Sequence, residues 1–287
     1  MATQITISAA RRSARERLAR VSLSPGLDAD VLLAEVMHQD RAYLLAYGEQ
    51  PLSEAQAAQY EALVARASAG EPIPYVLGRR AFYDMELKVT PDVLIPRPET
   101  ELLMEQAIDF ARARAAQTGR CIAFDIGTGS GALAVGLARH VPEAIVYAVD
   151  INPAALEIAH ANAVKYQVEA RVHFLQGDLL APLLGGLKAD LVMANLPYIP
   201  SGELPDLAVS RYEPLLALDG GSDGLDLIRR TLADLPAVVQ PNALILFEIA
   251  AYQGAAALAL AQAALTPRSA RIITDYAGLD RIIRAEL

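Results

Sequence analysis

Apolar positions recur at helical spacing through the first seventy or so residues, and then the period changes. Leu18 and Val21 give one short apolar face, and Leu27, Val31, Leu32, Glu35 and Val36 open a second segment stepping by threes and fours, as one face of an α-helix requires. Ser24-Pro-Gly26 punctuates between them. Ser53 followed by Gln56 is a capping box for a third helix ending near Gly70. The pattern predicts a small bundle of three or four short helices over residues 1–72.

Over residues 73–98 the pattern is different. Pro72, Pro74, Pro91, Pro96 and Pro98 exclude a long helix, because proline lacks the N–H that a helix interior bonds. Phe82-Tyr-Asp-Met-Glu-Leu-Lys-Val89 alternates like a strand, so the segment is expected to be a β-hairpin connector. A helix over 99–114 should follow, opening a second domain over 99–287. Strands are predicted over 121–126, 145–150, 171–176, 191–194, 244–249, 272–275 and 281–285. Helices are predicted over 132–140, 153–166, 225–239 and 254–265 between them. Repeated β-α units imply an α/β, doubly wound, mostly parallel seven-stranded sheet with ligands at the carboxyl ends of its strands.

Composition narrows the class. Hydrophobic residues are 53% and charged residues 21% of the 287, enough for a sizeable core. The single cysteine, Cys121, has no intramolecular partner, and residues 1–8 have neither a basic start nor an apolar run of signal-peptide length. No uncharged stretch approaches the roughly 18 apolar residues that cross a bilayer. A cytoplasmic protein with no membrane partner is expected. Net charge is −9, with residues 1–90 holding 10 Lys/Arg against 11 Asp/Glu. The acidic excess therefore lies in the second domain, where its field repels phosphate backbones and argues against direct nucleic-acid binding. Arg11, Arg12, Arg15, Arg17 and Arg20 read as a solvated helix face.

Candidate chemistry clusters at predicted strand ends. Asp125-Ile-Gly-Thr-Gly-Ser-Gly131 closes the first strand and opens its helix, and glycines there let the backbone turn sharply and approach a ligand. The spacing is G-x-G-x-G, not the dinucleotide G-x-G-x-x-G, and a carboxylate so placed suits a cationic amino-acid ligand better than a pyrophosphate. Asp150, 19 residues past Gly131, ends the second strand, where a carboxylate can accept from both ribose hydroxyls of an adenosine. Asp178, followed by Leu179, ends the third and can accept from an adenine amino group. The fourth strand runs into Asn195-Leu-Pro-Tyr198, 64 residues after Gly131. Two acceptors, the Asn195 carboxamide oxygen and the Leu196 carbonyl, would hold the N–H bonds of a planar amino or amide nitrogen and stabilise the charge it develops. Pro197 stiffens the turn, and Tyr198 offers an aromatic wall. Arg97 and Glu99 could line the pocket lip or form an ion pair fixing the connector, and the second reading is favoured because proline-flanked charges often brace a chain bend. His38, His140, His160 and His173 are dispersed, and none is assigned to a metal or to acid–base work.

With these motifs, the chain resembles the HemK/PrmC family, the glutamine-N5 methyltransferases of peptide chain release factors. The resemblance also rests on Glu71-Pro-Ile-Pro-Tyr-Val-Leu-Gly78, Phe82-Tyr83, Leu94-Ile-Pro-Arg-Pro-Glu-Thr-Glu101, Arg211-Tyr-Glu-Pro214 and Ala217-Leu-Asp-Gly-Gly-Ser-Asp-Gly224. It implies a Rossmann-like S-adenosylmethionine-dependent methyltransferase domain joined by the hairpin connector to a helical domain that helps grip the substrate. S-adenosylmethionine would be held by Asp125, Gly127, Thr128, Gly129, Ser130, Gly131, Asp150, Asp178, Leu179 and Asn195, would leave as S-adenosylhomocysteine, and would need no metal. Asn195, Pro197 and Tyr198 would carry the chemistry and, with Leu196, bind the acceptor: the glutamine of the Gly-Gly-Gln loop in class I release factors. The family usually has Asn-Pro-Pro-Tyr, so Leu196 is a departure that keeps the backbone carbonyl but loosens the turn. Asn-Leu-Pro-Tyr also occurs in adenine dimethyltransferases of ribosomal RNA, which leaves adenine in RNA or DNA as the alternative acceptor.

Overall fold

The computed structural model describes residues 5–287, so residues 1–4, on which part of the N-terminal reading rests, lie outside the described residues. It divides into two compact units, Met1–Arg79 and Arg80–Leu287.

The first unit contains helices α1 (Ile7–Leu18), α2 (Pro25–Met37), α3 (Arg41–Ala46), α4 (Glu54–Ser68) and α5 (Ile73–Leu77). Its core differs in detail from the spacing argument. Ile7, Ala10, Ala14 and Leu18 form the buried stripe of α1, while Val21 and Leu27 are largely exposed. Val21 falls after the helix has ended, so its spacing no longer places it on the apolar face. The capping box is present: Ser53 Oγ accepts from Gln56 N at 3.2 Å and Gln56 Oε1 accepts from Ser53 N at 3.0 Å. Among the described residues, Arg11 of the basic face pairs with buried Asp30 and Arg17 with Glu61.

The connector opens with a helical turn instead of extended chain. Proline fits the first turn of a helix, where the missing N–H would have no partner, so Pro72 and Pro74 launch α5. Strands β1 (Arg79–Phe82) and β2 (Met85–Lys88) then pair. The alternation over 82–89 thus spans a turn and not one strand, with Tyr83 in the left-handed region at φ 56°.

Helix α8 (Pro153–Lys165) lies along the hairpin's free edge. Lys88 N donates to Asn162 Oδ1 (2.7 Å) and Asn162 Nδ2 donates to Lys88 O (3.0 Å). One strand repeat away, Glu86 N donates to Tyr166 Oη (2.6 Å), and Glu86 O accepts from Tyr166 Oη and Lys165 Nζ.

The second unit continues with α6 (Thr100–Thr118), β3 (Cys121–Ile126), α7 (Ala132–His140), β4 (Ala144–Asp150), α8, β5 (Val172–Gln176), β6 (Ala189–Ala194), α9 (Asp226–Val238), β7 (Val239–Glu248), α10 (Gly254–Leu265), β8 (Ser269–Thr274) and β9 (Asp280–Glu286). The seven-stranded sheet runs β5-β4-β3-β6-β7-β9-β8, parallel except for β9, which is antiparallel to both neighbours. The α/β architecture with a mostly parallel sheet is therefore as the sequence indicates. Side-chain alternation sorts the central strands onto two cores. Cys121, Ala123, Leu191 and Met193 pack on one face with α6 and α7, and Ile122, Phe124, Val192 and Ala194 on the other with α9 and α10. Both faces being covered, β3 and β6 are buried at every position, which is why they read as apolar runs interrupted only by the buried Asp125 and Asp190.

Candidate active site

The order of the strands reverses between β3 and β6, and one cavity opens there at their carboxyl ends, the topological switch point of an open α/β sheet. Of the residues singled out from the sequence, it is lined by Asp125, Gly127, Thr128, Gly129, Ser130, Asp150, Asp178, Leu179, Asn195, Leu196 and Pro197. Gly131 and Tyr198 sit behind it. A Cβ on Gly131 would come within 3.0 Å of Ala159, so that glycine serves the packing of α7 on α8. The Tyr198 carbonyl accepts from Gln253 Nε2 at 3.0 Å.

The turn after β3 is held from both sides. Asp125 Oδ2 accepts from Thr128 Oγ1 (2.6 Å) and from Ala134 N (3.1 Å), tying the strand end to the loop and to the first turn of α7. Burial without a cation pushes the Asp125 carboxyl up to about 7, against the pull of those two hydrogen bonds and with repulsion from Asp150 adding to it. Asp150 Oδ2 accepts from Gly129 N, and its Oδ1 from Asn152 N, both at 2.9 Å. Burial raises Asp150 as well. A Cβ on Gly129 would meet nothing within 4 Å, so the open space there belongs to the cavity. Asp178 forms an ion pair with Arg230 at the rim, and Leu179 is held at φ 49°.

The turn after β6 packs directly on this loop. Leu196 is 3% exposed, and its Cδ2 lies 3.2 Å from the position of a Cβ on Gly127. The side chain in place of the family's proline therefore fills the space over the first glycine. Asn195 Nδ2 donates to Thr100 Oγ1 at 3.1 Å. Among the described residues no hydrogen bond reaches the Asn195 carboxamide oxygen or the Leu196 carbonyl. Behind the turn, Ile199 N donates to Leu218 O, Gly220 N to Ile199 O and Ser201 N to Gly221 O. Gln253 Nε2 joins the Tyr198 and Asp223 carbonyls. The 217–224 segment is thus a backbone clamp on the chain that follows β6.

Sequence reasoning paired Arg97 with Glu99, and the structure corrects this. Arg97 Nη2 meets Glu213 Oε1 at 2.6 Å, and Ile95 N donates to the other oxygen of Glu213. Glu99 precedes the first residue of α6, and its carboxylate is part of the field acting on Tyr198, Glu248 and Arg281. The brace is real but its anion comes from the 211–214 segment, a distance no local spacing encodes. Thr100, Glu248 and Gln253, all buried, also escaped the sequence reading. Thr100 lay within a quoted motif, but nothing marked its hydroxyl as a partner of Asn195.

The switch-point cavity, the glycine turn and the carboxylates at successive strand ends define a methyltransferase of the Rossmann-like class. Residues 123–216 match the Methyltransferase domain family, and residues 9–78 match the PrmC N-terminal domain family. The release factor glutamine methyltransferase of Moorella thermoacetica is 44% identical over 283 residues, covering 98% of each chain. Those of Bacillus subtilis and Vibrio cholerae are both 39% identical, covering 90% and 97% of this chain and 90% and 96% of their own. The chain belongs to the release factor glutamine methyltransferase family. Among solved structures, a Pyrococcus furiosus methyltransferase superposes with a TM-score of 0.51 at 15% identity, over 80% of this chain and 98% of its own. The T. thermophilus 16S rRNA N2 G1207 methyltransferase also gives 0.51, at 16% identity over 72% and 49%. These two likenesses concern the fold.

Proposed function

We propose that this protein methylates the side-chain amide nitrogen (N5) of the glutamine in the Gly-Gly-Gln loop of class I peptide chain release factors, in the cytoplasm. When bound, S-adenosylmethionine supplies a methyl group on a positively charged sulfur and leaves as S-adenosylhomocysteine. The observation that carries the proposal is the meeting of Asn195-Leu196-Pro197 with Gly127, Gly129, Asp150 and Asp178 around one cavity. Family membership supports the choice of glutamine.

The residues present fit that methyl donor. The open space over Gly129 admits a ligand against the backbone, Asp150 offers carboxylate oxygens for ribose hydroxyls, and Asp178, paired with Arg230 through one oxygen, would offer the other to an adenine amino group. Asp125 has Oδ2 committed to Thr128 and Ala134. Its task is to hold the loop and to oppose a cationic amino-acid moiety.

The acceptor side follows from the chemistry of an amide. Its nitrogen lone pair is delocalised and weakly basic, so the protein's task is to orient it. The Asn195 carboxamide oxygen and the Leu196 carbonyl accept the two N–H bonds of the glutamine amide, which turns the lone pair toward the methyl group. The positive charge that methylation would develop on the nitrogen would be stabilised by the same two acceptors. The extra proton then leaves the nitrogen to solvent. Pro197 fixes the turn, Tyr198 supports it from behind, and the helical unit contributes to gripping the release factor.

Incubation with labelled S-adenosylmethionine and a class I release factor tests the proposal. Label should appear on protein with an intact Gly-Gly-Gln glutamine and be lost from a Gln→Ala substrate. Equal labelling of both, or label on adenine in RNA or DNA, would overturn it.

A further inference from the structure

One part of the cavity lining comes from outside the loops of the sheet: Asp92, Val93, Leu94 and Pro96 of the connector. This stretch belongs to no helix or strand, so no ladder holds it and its backbone groups find their partners singly. Val93, Ile95 and Pro96 are buried while Asp92 is exposed, which leaves one end of the wall to be fixed at the rim. At Ile95 the fixing is done by Glu213, whose Oε2 accepts from Ile95 N at 3.1 Å. At Asp92 it is done by Asn152, whose Nδ2 donates to the Asp92 carbonyl at 3.0 Å.

Asn152 makes two further bonds. Its backbone N–H donates to Asp150 Oδ1 at 2.9 Å, and its own Oδ1 accepts from Ala154 N at 3.0 Å, capping α8. A backbone N–H can only donate, so the bond from Ala154 marks the carboxamide oxygen and leaves the nitrogen to face Asp92. The cap alone does not call for asparagine, because serine and aspartate cap a helix about as well. Neither of them carries an N–H donor on the side away from the capping oxygen. Asparagine at this position therefore joins the carboxylate proposed for the ribose, the start of α8 and the connector wall.

We propose that Asn152 is a positioning residue which, through the Asp92 carbonyl, holds residues 92–96 as a wall of the cavity and so slows the escape of the bound methyl donor. This rests on reading the cavity as the S-adenosylmethionine site.

The test uses the full chain and compares wild type with Asn152→Ser, which keeps a cap but cannot span to Asp92, and Asn152→Ala, which loses both. Three quantities are read: the denaturant midpoint, hydrogen–deuterium exchange of segment 90–97 in the unliganded protein, and the dissociation constant and dissociation rate of S-adenosylhomocysteine. Exchange is informative there because Val93 N and Ile95 N are both hydrogen-bonded. In Asn152→Ser the midpoint should stay at the wild-type value. Exchange in 90–97 should speed up, and the dissociation constant should rise roughly three- to tenfold, the range for loss of one hydrogen bond, through a faster dissociation rate. Asn152→Ala should show the same two changes together with a lower midpoint. Wild-type exchange and affinity in Asn152→Ser would reduce Asn152 to a helix cap and overturn the proposal. So would an affinity loss that appears only in Asn152→Ala, in step with its midpoint. If Asn152→Ala does not fold, Asn152→Ser decides the matter alone. Failure of the cavity reading looks different: wild-type protein would then take up no S-adenosylhomocysteine, while exchange in 90–97 would still report on the tie to Asp92.

Discussion

Arg97 and Glu213 stand 116 residues apart in the chain and meet at 2.6 Å. The arginine is 32% exposed at its side chain and the glutamate 4%, so the two ends of the bridge differ in what they lose when it breaks. Arg97→Met would leave a buried carboxylate with only the Ile95 N–H. It should destabilise the second unit by about 2 kcal/mol, the range of hydrogen bonds to charged groups. Denaturant unfolding measures this, and an unchanged midpoint would mean the pair contributes nothing.

Asn195→Ala removes one of the two proposed acceptors but leaves the glycine loop, Asp150 and Asp178 in place. Turnover should fall on the order of a hundredfold, with the dissociation constant for S-adenosylhomocysteine changed little. Titration calorimetry together with initial rates separates the two quantities, and wild-type turnover would remove Asn195 from the acceptor site.

Gly129 and Gly224 both have positive φ, 54° and 77°, yet alanine at each should fail differently. At Gly224 a Cβ would lie 2.1 Å from the Tyr198 carbonyl oxygen, and at Gly129 it would point into open cavity. Gly224→Ala should therefore disturb the clamp and cost roughly 1–3 kcal/mol, visible as a lower Tm. Gly129→Ala should cost only about 1 kcal/mol of left-handed strain but weaken S-adenosylmethionine binding by tenfold or more, because the methyl group takes ligand space. The reverse ranking of Tm and affinity would contradict both placements.

Asp125 offers a test by pH. Its carboxyl is raised to about 7 in the folded protein, against roughly 3.9 in an unfolded chain. Between about pH 4 and pH 7 the unfolded state loses this proton while the folded state keeps it, so the group's contribution falls as pH rises and is flat above pH 7. The slope is at most about 1.4 kcal/mol per pH unit. Asparagine retains an acceptor for Thr128 and Ala134 but cannot ionise. Asp125→Asn should gain on wild type in denaturant stability from pH 5 to pH 7 and then keep a constant gap. Parallel curves across that range would show that Asp125 ionises like an exposed carboxylate.

The legibility of this molecule in its sequence follows the range of each interaction. β3 and β6 announce themselves because a strand buried on both faces is apolar at most positions, Asp125 and Asp190 being the exceptions, and the Ser53–Gln56 box because its partners are three residues apart. The glycine turn and the carboxylates at three strand ends are local to their strands, and sheet topology alone brings them together. The clamp of 217–224 on the chain after β6, the Arg97–Glu213 bridge and the bond of Asn195 to Thr100 are pairings between separate segments. An isolated glutamate or threonine has no local signature of a partner more than ninety residues away. Val21 and the turn inside 82–89 misled for the opposite reason: periodicity continued past the point where the element itself had ended.

Asn162 has a consequence beyond the site. Its carboxamide presents to Lys88 one acceptor and one donor, the pair of groups that a neighbouring strand's peptide would present, and Tyr166 and Lys165 do the same service for Glu86. A two-stranded ribbon ordinarily advertises its outer backbone to any extended chain it meets, and such edges seed aggregation. Here two side chains of a single helix and the tyrosine that caps it occupy that edge in advance, so the hairpin has no open row at Glu86 and Lys88 on which a foreign strand could crystallise.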